Sequence, residues 1–244
     1  MNIPLLWLCP FIKENGKLMR VVALLTGIML IFVLVLTGSR GGMIGLIIGG
    51  FICLLFKVYI DRLNVKKIII LCSIFFVFVS GIWGLFSVYS ANNRGAIRSY
   101  DHERILLWES SYHMWQDHKL LGVGLRHWHD EYVNEYISPE AKEPNLEFPH
   151  NLYMYFLSET GILGGIGIFL FTVGIFIYLI SLLRINCKNM FFLAFIWSFL
   201  TIMIHSQVDA GITNKFVMRL YSTYLGISLA SIAYYRVNKL EKQV

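Results

Sequence analysis

The sequence predicts an all-α polytopic membrane protein of about six transmembrane helices, and three observations carry that expectation. Of the 244 residues, 57% are hydrophobic and only 15% charged. Soluble domains carry about a quarter charged residues, so this chain lacks the polar surface to coat a globule. Apolar runs of about 17 to 25 residues recur, the length a helix needs to cross roughly 30 Å of hydrocarbon. Basic residues gather in clusters between those runs rather than spreading along the chain.

The runs lie near residues 21–38, 43–60, 68–88, 160–183, 190–209 and 216–235. They divide the chain into N-terminal membrane helices (1–90) with an outward arginine hairpin, an extracytoplasmic loop (91–150) and C-terminal membrane helices (151–244). Ahead of the first run, Asn2 to Ile12 is apolar but short, and is expected to be the tail of another helix rather than a cleavable signal peptide. There is no internal repeat and no low-complexity tract.

Orientation follows from the clusters. Lys13, Lys17 and Arg20 precede the first run; Lys57, Arg62, Lys66 and Lys67 follow the second. Arg184 and Lys188 follow the fourth, and Arg236, Lys239 and Lys242 follow the sixth. With six spans, alternation puts all four clusters on one side, which the positive-inside rule makes the cytoplasm. The long loop and the tight Gly38–Gly42 hairpin therefore face outward. The net charge of +6 finds its explanation here, and nucleic-acid binding is not expected. None of the four cysteines (Cys9, Cys53, Cys72, Cys187) sits in the polar loop. That excludes a disulfide framework or thiolate metal site there, and buried free thiols are expected.

The loop collects the unusual residues. Six of the seven histidines (His102, His113, His118, His127, His129, His150) lie in it or at its end. Trp108, Tyr112, Trp115, Trp128, Tyr132 and Tyr136 give it apolar mass to bury, so order is expected. Ile105, Trp108, Tyr112 and Trp115 recur at helical spacing, with Asp101 available as N-cap. This predicts an amphipathic helix in the interfacial plane, ended by the Gly122-Val123-Gly124 turn.

Four constellations can carry chemistry. In Thr37-Gly38-Ser39-Arg40-Gly41-Gly42, an arginine at the membrane margin suits a phosphate or diphosphate gripped by two parallel hydrogen bonds; the plainer reading is a snorkelling arginine. Arg104, with Arg94 and Arg98 upstream, offers a second anion-binding arm or a contact to lipid headgroups. Arg126 and Arg219 are candidates of the same kind. In Phe148-Pro149-His150-Asn151-Leu152-Tyr153, His150 is suited to take a proton from a sugar hydroxyl, and Asn151 to orient it or bind sugar. A structural histidine is the competing reading. His127-Trp128-His129-Asp130, near His113 and His118, matches no two-histidine helical motif, and carbohydrate contact is preferred over metal. No phosphate-binding loop and no nucleophile elbow is present, so coupling to ATP within the chain is not expected.

Together these segments resemble the O-antigen ligase and polymerase superfamily of bacterial polysaccharide membrane proteins. The specific match is H-[NSQ]-x9-G-x-x-[GTY], here His150, Asn151, nine residues, Gly161, two residues and Gly164. Thr37-Gly38-Ser39-Arg40-Gly41 resembles the family's Thr-x-Ser-Arg-Gly element, although its R-x3-L element reads Arg40 to Ile44. Arg104-Ile105-Leu106-Leu107-Trp108 and Leu121-Gly122-Val123-Gly124 resemble its loop signature. The resemblance covers most of the chain and corresponds to the C-terminal half of the usual member.

The resemblance implies a metal-independent, GT-C-like membrane glycosyltransferase with no cofactor. It acts on a polyprenyl-diphosphate-linked glycan on the outer side of the bacterial cytoplasmic membrane. Mapped here, Arg40 and Arg104 would hold the diphosphate, with Arg126 and Asn151 as further substrate contacts and His150 as base on the acceptor hydroxyl. A ligase passes the glycan to a lipid A core sugar, a polymerase to another lipid-linked repeat, and related proteins to protein hydroxyls. A non-catalytic scaffold or half-transporter and a metal-dependent membrane hydrolase are the competing classes.

Overall fold

The computed structural model describes residues 3–4, 16–92, 94–185, 190–209 and 214–241. Its helices are α1 (Lys17–Leu36), α2 (Arg40–Asp61), α3 (Val65–Asn92), α4 (Arg94–Asp117), a short α5 (Trp128–Glu131) running into a wider π turn (Tyr132–Tyr136), α6 (Leu152–Ile185), α7 (Met190–His205) and α8 (Lys215–Glu241). No strand occurs among the described residues.

Four of these helices are long and apolar enough to cross a membrane: Lys17–Leu36, Arg40–Tyr59, Val65–Ala91 and Leu152–Leu182. Their outer faces carry side chains that water would not tolerate in such a run, Phe76, Val77 and Trp83 among them, each about two-thirds exposed or more. The chain is therefore a membrane protein. The runs expected near 190–209 and 216–235 correspond to α7, apolar but only 16 residues long, and to α8. Lys13, Lys188 and Lys242 lie outside the described residues, as do Cys9 and Cys187. Of the other two cysteines, Cys53 is buried as expected and Cys72 is not: it lies on the exposed face of α3, where the apolar run alone could not place it.

The helix boundaries have local causes. Gly38 takes φ +64° after α1 ends, and Ser39 caps α2 by accepting a hydrogen bond from Gly42 N–H at 3.3 Å. The α2–α3 turn passes through Arg62 at φ +45°, and Asn64 Oδ1 accepts from Lys67 N–H at 3.1 Å to start α3. Helix α6 begins eight residues before the expected span, because Asn151 caps it and the chain is already helical at Leu152.

The chain forms two compact units interleaved in sequence. One comprises Met1–Tyr89, Tyr178–Ile204 and Met218–Val244. Its core joins Ile31 and Val35 of α1, Met43 and Leu46 of α2, and Ile82 of α3. Helices α2 and α7 touch through small residues: a Cβ on Gly45 would stand 2.5 Å from the Thr201 carbonyl oxygen. Gly49 and Gly50 similarly face Trp197, whose indole N–H donates to Leu46 O at 2.8 Å. Close approach through small residues is how helices gain dispersion energy where lipid offers no hydrophobic drive.

The other unit comprises Ser90–Ile177 and His205–Val217. Its main helix is α4, which begins at Arg94, so Asp101 lies in the helix interior and is not its cap. The buried face of α4 is Glu103, Leu106, Leu107, Ser110, Ser111 and Met114, a continuous stripe at helical spacing. The expected stripe lies on the flank instead: Ile105 and Tyr112 are exposed, and Trp108 and Trp115 half-buried. The buried polar members explain why hydropathy pointed to the wrong face. Ser111 Oγ accepts from Trp128 Nε1 at 2.9 Å, Ser110 donates to Tyr136 O at 2.7 Å, and both Glu103 oxygens face Lys142 N–H at 3.0 and 3.2 Å. Helix α4 thus organises residues 118–150, with Trp128 stacked on Tyr132 at 4.9 Å against Leu107 and Met114.

Candidate active site

The histidine motif lies where the chain enters α6. Asn151 Oδ1 accepts hydrogen bonds from the backbone N–H groups of Tyr153 and Met154, both at 3.0 Å, and its amide donates to Gln207 O at 2.8 Å. Leu152 N–H donates to Ser206 O at 2.9 Å. The N-terminus of α6 is therefore fastened to the segment following α7. On the other side, Trp108 Nε1 donates to the Pro149 carbonyl at 2.8 Å.

Between these anchors stands His150, with φ +53°. A left-handed backbone costs a non-glycine residue on the order of 1–3 kcal/mol and persists only where its surroundings over-determine it. Here the indole of Trp108 and the cap of Asn151 do so. The imidazole leans on Phe148, ring centroids 4.8 Å apart, and its Nδ1 lies 3.3 Å from Asp209 Oδ1. The second oxygen of Asp209 lies 3.6 Å from His205 Nε2. All three side chains are only a quarter to a third exposed.

The hydrogen bonds from His150 and then His205 hold the Asp209 carboxyl well below the usual carboxylate range, burial opposing them. Asp209 is therefore an anion wherever the protein works. An anion accepting from Nδ1–H fixes the imidazole tautomer and leaves Nε2 with its lone pair to take a proton. The arrangement can perform general-base chemistry.

The arginines lie at three places. Arg40 is the first residue of α2, directly after the Ser39 cap, and half-buried. A cation there opposes the helix dipole, while its guanidinium and the helix N–H groups together favour an anion. Arg104 is half-buried on α4, next to the anchoring Glu103. Arg126 is exposed at φ +65°. Arg40 belongs to the first unit; Arg104, Arg126, His150 and Asn151 belong to the second. The side chains of Arg94 and Arg98 lie outside the described residues.

The glycines downstream of His150 have a structural task. Val123 and Gly124 N–H groups donate to the Ser158 and Glu159 carbonyls, both at 2.9 Å, and Ile162 N–H donates to Lys119 O at 2.8 Å. Gly122 (φ +67°) and Gly161 (φ +65°) make this backbone-to-backbone junction passable: a Cβ on Gly122 would meet the Glu159 carbonyl, and one on Gly161 the Leu120 carbonyl. Gly161 also interrupts the helical geometry of α6, kinking it. The Leu121–Gly124 turn and the Gly161 end of the histidine motif are thus one contact.

His127 and His129 turn their Nδ1 atoms to the Leu125 and Leu146 carbonyls at 3.0 and 2.9 Å. Among the described residues no group of three or more His, Cys, Asp or Glu is disposed to hold a metal ion. Sequence reasoning missed Asp209 and His205. A signal existed: two ionisable residues, four apart, at the end of an apolar run read as a membrane span, where such residues are functional by default.

A protein-family model described as O-antigen ligase matches residues 25–169, more than half of the chain. The match includes Arg40, Arg104, Arg126, His150 and Asn151, and ends before His205 and Asp209. No curated protein matches the chain.

Proposed function

The chain belongs to the O-antigen ligase family, and from that premise we propose that it transfers a glycan from a polyprenyl-diphosphate carrier to an acceptor hydroxyl. The reaction takes place at the outer side of the bacterial cytoplasmic membrane. The observation that carries this reading is His150, strained at φ +53° and bonded through Nδ1 to an ionised Asp209.

The acceptor O–H gives its proton to His150 Nε2 as the oxygen attacks the sugar's anomeric carbon. The bond from that carbon to the phosphate oxygen breaks, and the electron pair leaves with the diphosphate. Attack opposite the leaving group inverts the anomeric centre. Arg40 and Arg104 hold the diphosphate and stabilise the charge that grows on it. That double cation does work a divalent metal would otherwise do. Arg126, exposed just after the Leu121–Gly124 turn, contacts the sugar side of the donor. Asn151, its oxygen engaged in the cap, acts chiefly by holding His150 in place. The acceptor is a lipid A core sugar.

Expression in cells lacking the endogenous enzyme tests this, comparing the parent with Arg40→Ala and Arg104→Ala at matched membrane levels. Glycan on lipid A core from the parent, lost in both variants, is the expected result. Longer lipid-linked chains without core attachment would replace the ligase reading with a polymerase. No product from a normally inserted parent would contradict the enzyme reading.

A further inference from the structure

An apolar cleft of about 500 Å³ lies in the first unit between α2, α3 and α7. Leu54, Phe75, Phe78 and Trp197 form its walls. Its mouth is charged: Lys57, Asp61 and Lys67 line it, with Lys57 Nζ and Asp61 Oδ2 paired at 2.6 Å. Two cations against one anion leave a net positive charge, and Lys67 is exposed there in the first turn of α3. Cations in the first turn of a helix oppose its dipole, so an anion at this point relieves both. A second apolar cleft, of about 390 Å³, shares Leu54 and Phe75 as wall.

Two apolar grooves that share a wall, one of them opening at a cationic mouth, describe the complement of a two-chained, negatively charged amphiphile. We infer that the α2–α3–α7 cleft is a binding site for an anionic diacyl phospholipid, its phosphate at Lys57 and Lys67 and one acyl chain along Phe75, Phe78 and Trp197. Lys57 keeps donors for it, since an ammonium has three N–H groups and Asp61 occupies one side. The site stands apart from Arg40 on the same helix. Lys57 is 17 residues along α2 from Arg40, about 26 Å by helical rise. The inference does not rest on the transfer chemistry.

Trp197 makes the test direct. The full chain, reconstituted in phosphatidylcholine vesicles, is titrated with phosphatidylglycerol brominated on an acyl chain, and the same series is run with brominated phosphatidylcholine. Quenching of Trp197 is read as the difference from a Trp197→Phe variant. The expected result is saturable quenching about fivefold stronger for phosphatidylglycerol, lowered to the phosphatidylcholine level by Lys67→Gln. Lys67 is exposed and outside the ion pair, so this variant keeps its fold. Equal quenching by the two lipids, or a preference that survives Lys67→Gln, would overturn the proposal. Inorganic phosphate is expected to leave the quenching unchanged; if it abolishes it, the cleft is a phosphate site and the lipid assignment falls.

Discussion

The entry to α2 and the entry to α6 are built on one plan, with different residues in the left-handed position. Each has a left-handed residue, then a side-chain cap, then the helix: Gly38, Ser39, Arg40 in the first and His150, Asn151, Leu152 in the second. At the first, the left-handed position is glycine, which adopts it without strain, and the charged residue follows the cap at regular helical geometry. At the second, the left-handed position is the histidine itself. A non-glycine residue holds that backbone at a local cost on the order of 1–3 kcal/mol. Under the proposed function, strain falls on the residue assigned the chemistry and is withheld where only a turn is needed, the contrast expected between a reacting group at His150 and a binding one at Arg40.

That contrast can be sharpened by substitution. The largest effect is expected at Asp209, which has no counterpart at the α2 entry. Asp209→Asn keeps the shape and removes the anion that fixes the His150 tautomer, lowering the transfer rate about 100-fold. The carboxyl is held below its ordinary range, so its own contribution to stability is complete above pH about 4 and declines as pH falls further. Thermal melting in detergent from pH 7 to pH 3, parent against variant, reads that directly.

A smaller effect, on stability alone, is expected at Gly38. Its Cβ would stand 2.8 Å from the Tyr89 phenol oxygen in a left-handed backbone. Gly38→Ala should therefore cost about 2 kcal/mol, seen as a lowered melting temperature in detergent. The caps come last. Ser39→Ala and Asn151→Ala each cost about 1 kcal/mol. Only the second should also reduce transfer in membranes, because only there does the cap hold the reacting residue; equal losses would break the contrast.

How much of this the sequence reveals depends on the kind of force involved. The spans of α1, α2 and α3 were legible because lipid-facing side chains are uniformly apolar, and hydropathy measures that one property. Position and type identified Arg40, Arg104, Arg126, His150 and Asn151 as candidates. The packing of α4 was not legible, since its buried face includes Glu103, Ser110 and Ser111, whose partners lie up to 39 residues away. The pairing of His150 with Asp209, 59 residues apart, was hidden for the same reason. A hydropathy window reading 190–209 as one span absorbed His205 and Asp209 into it, whereas α7 ends at His205. The glycines of the histidine motif were visible as a pattern, but their purpose, a backbone contact between Leu120–Gly124 and Ser158–Gly161, is a property of the folded chain.

The most direct test of the central claim is His150→Gly, with thermal stability and glycan transfer measured on the same membrane preparation. Glycine keeps the left-handed backbone without strain, so the variant is expected to melt as a folded protein while loss of the base reduces transfer at least 100-fold. A variant that still transfers glycan at the parent's rate would contradict the claim that His150 is the base.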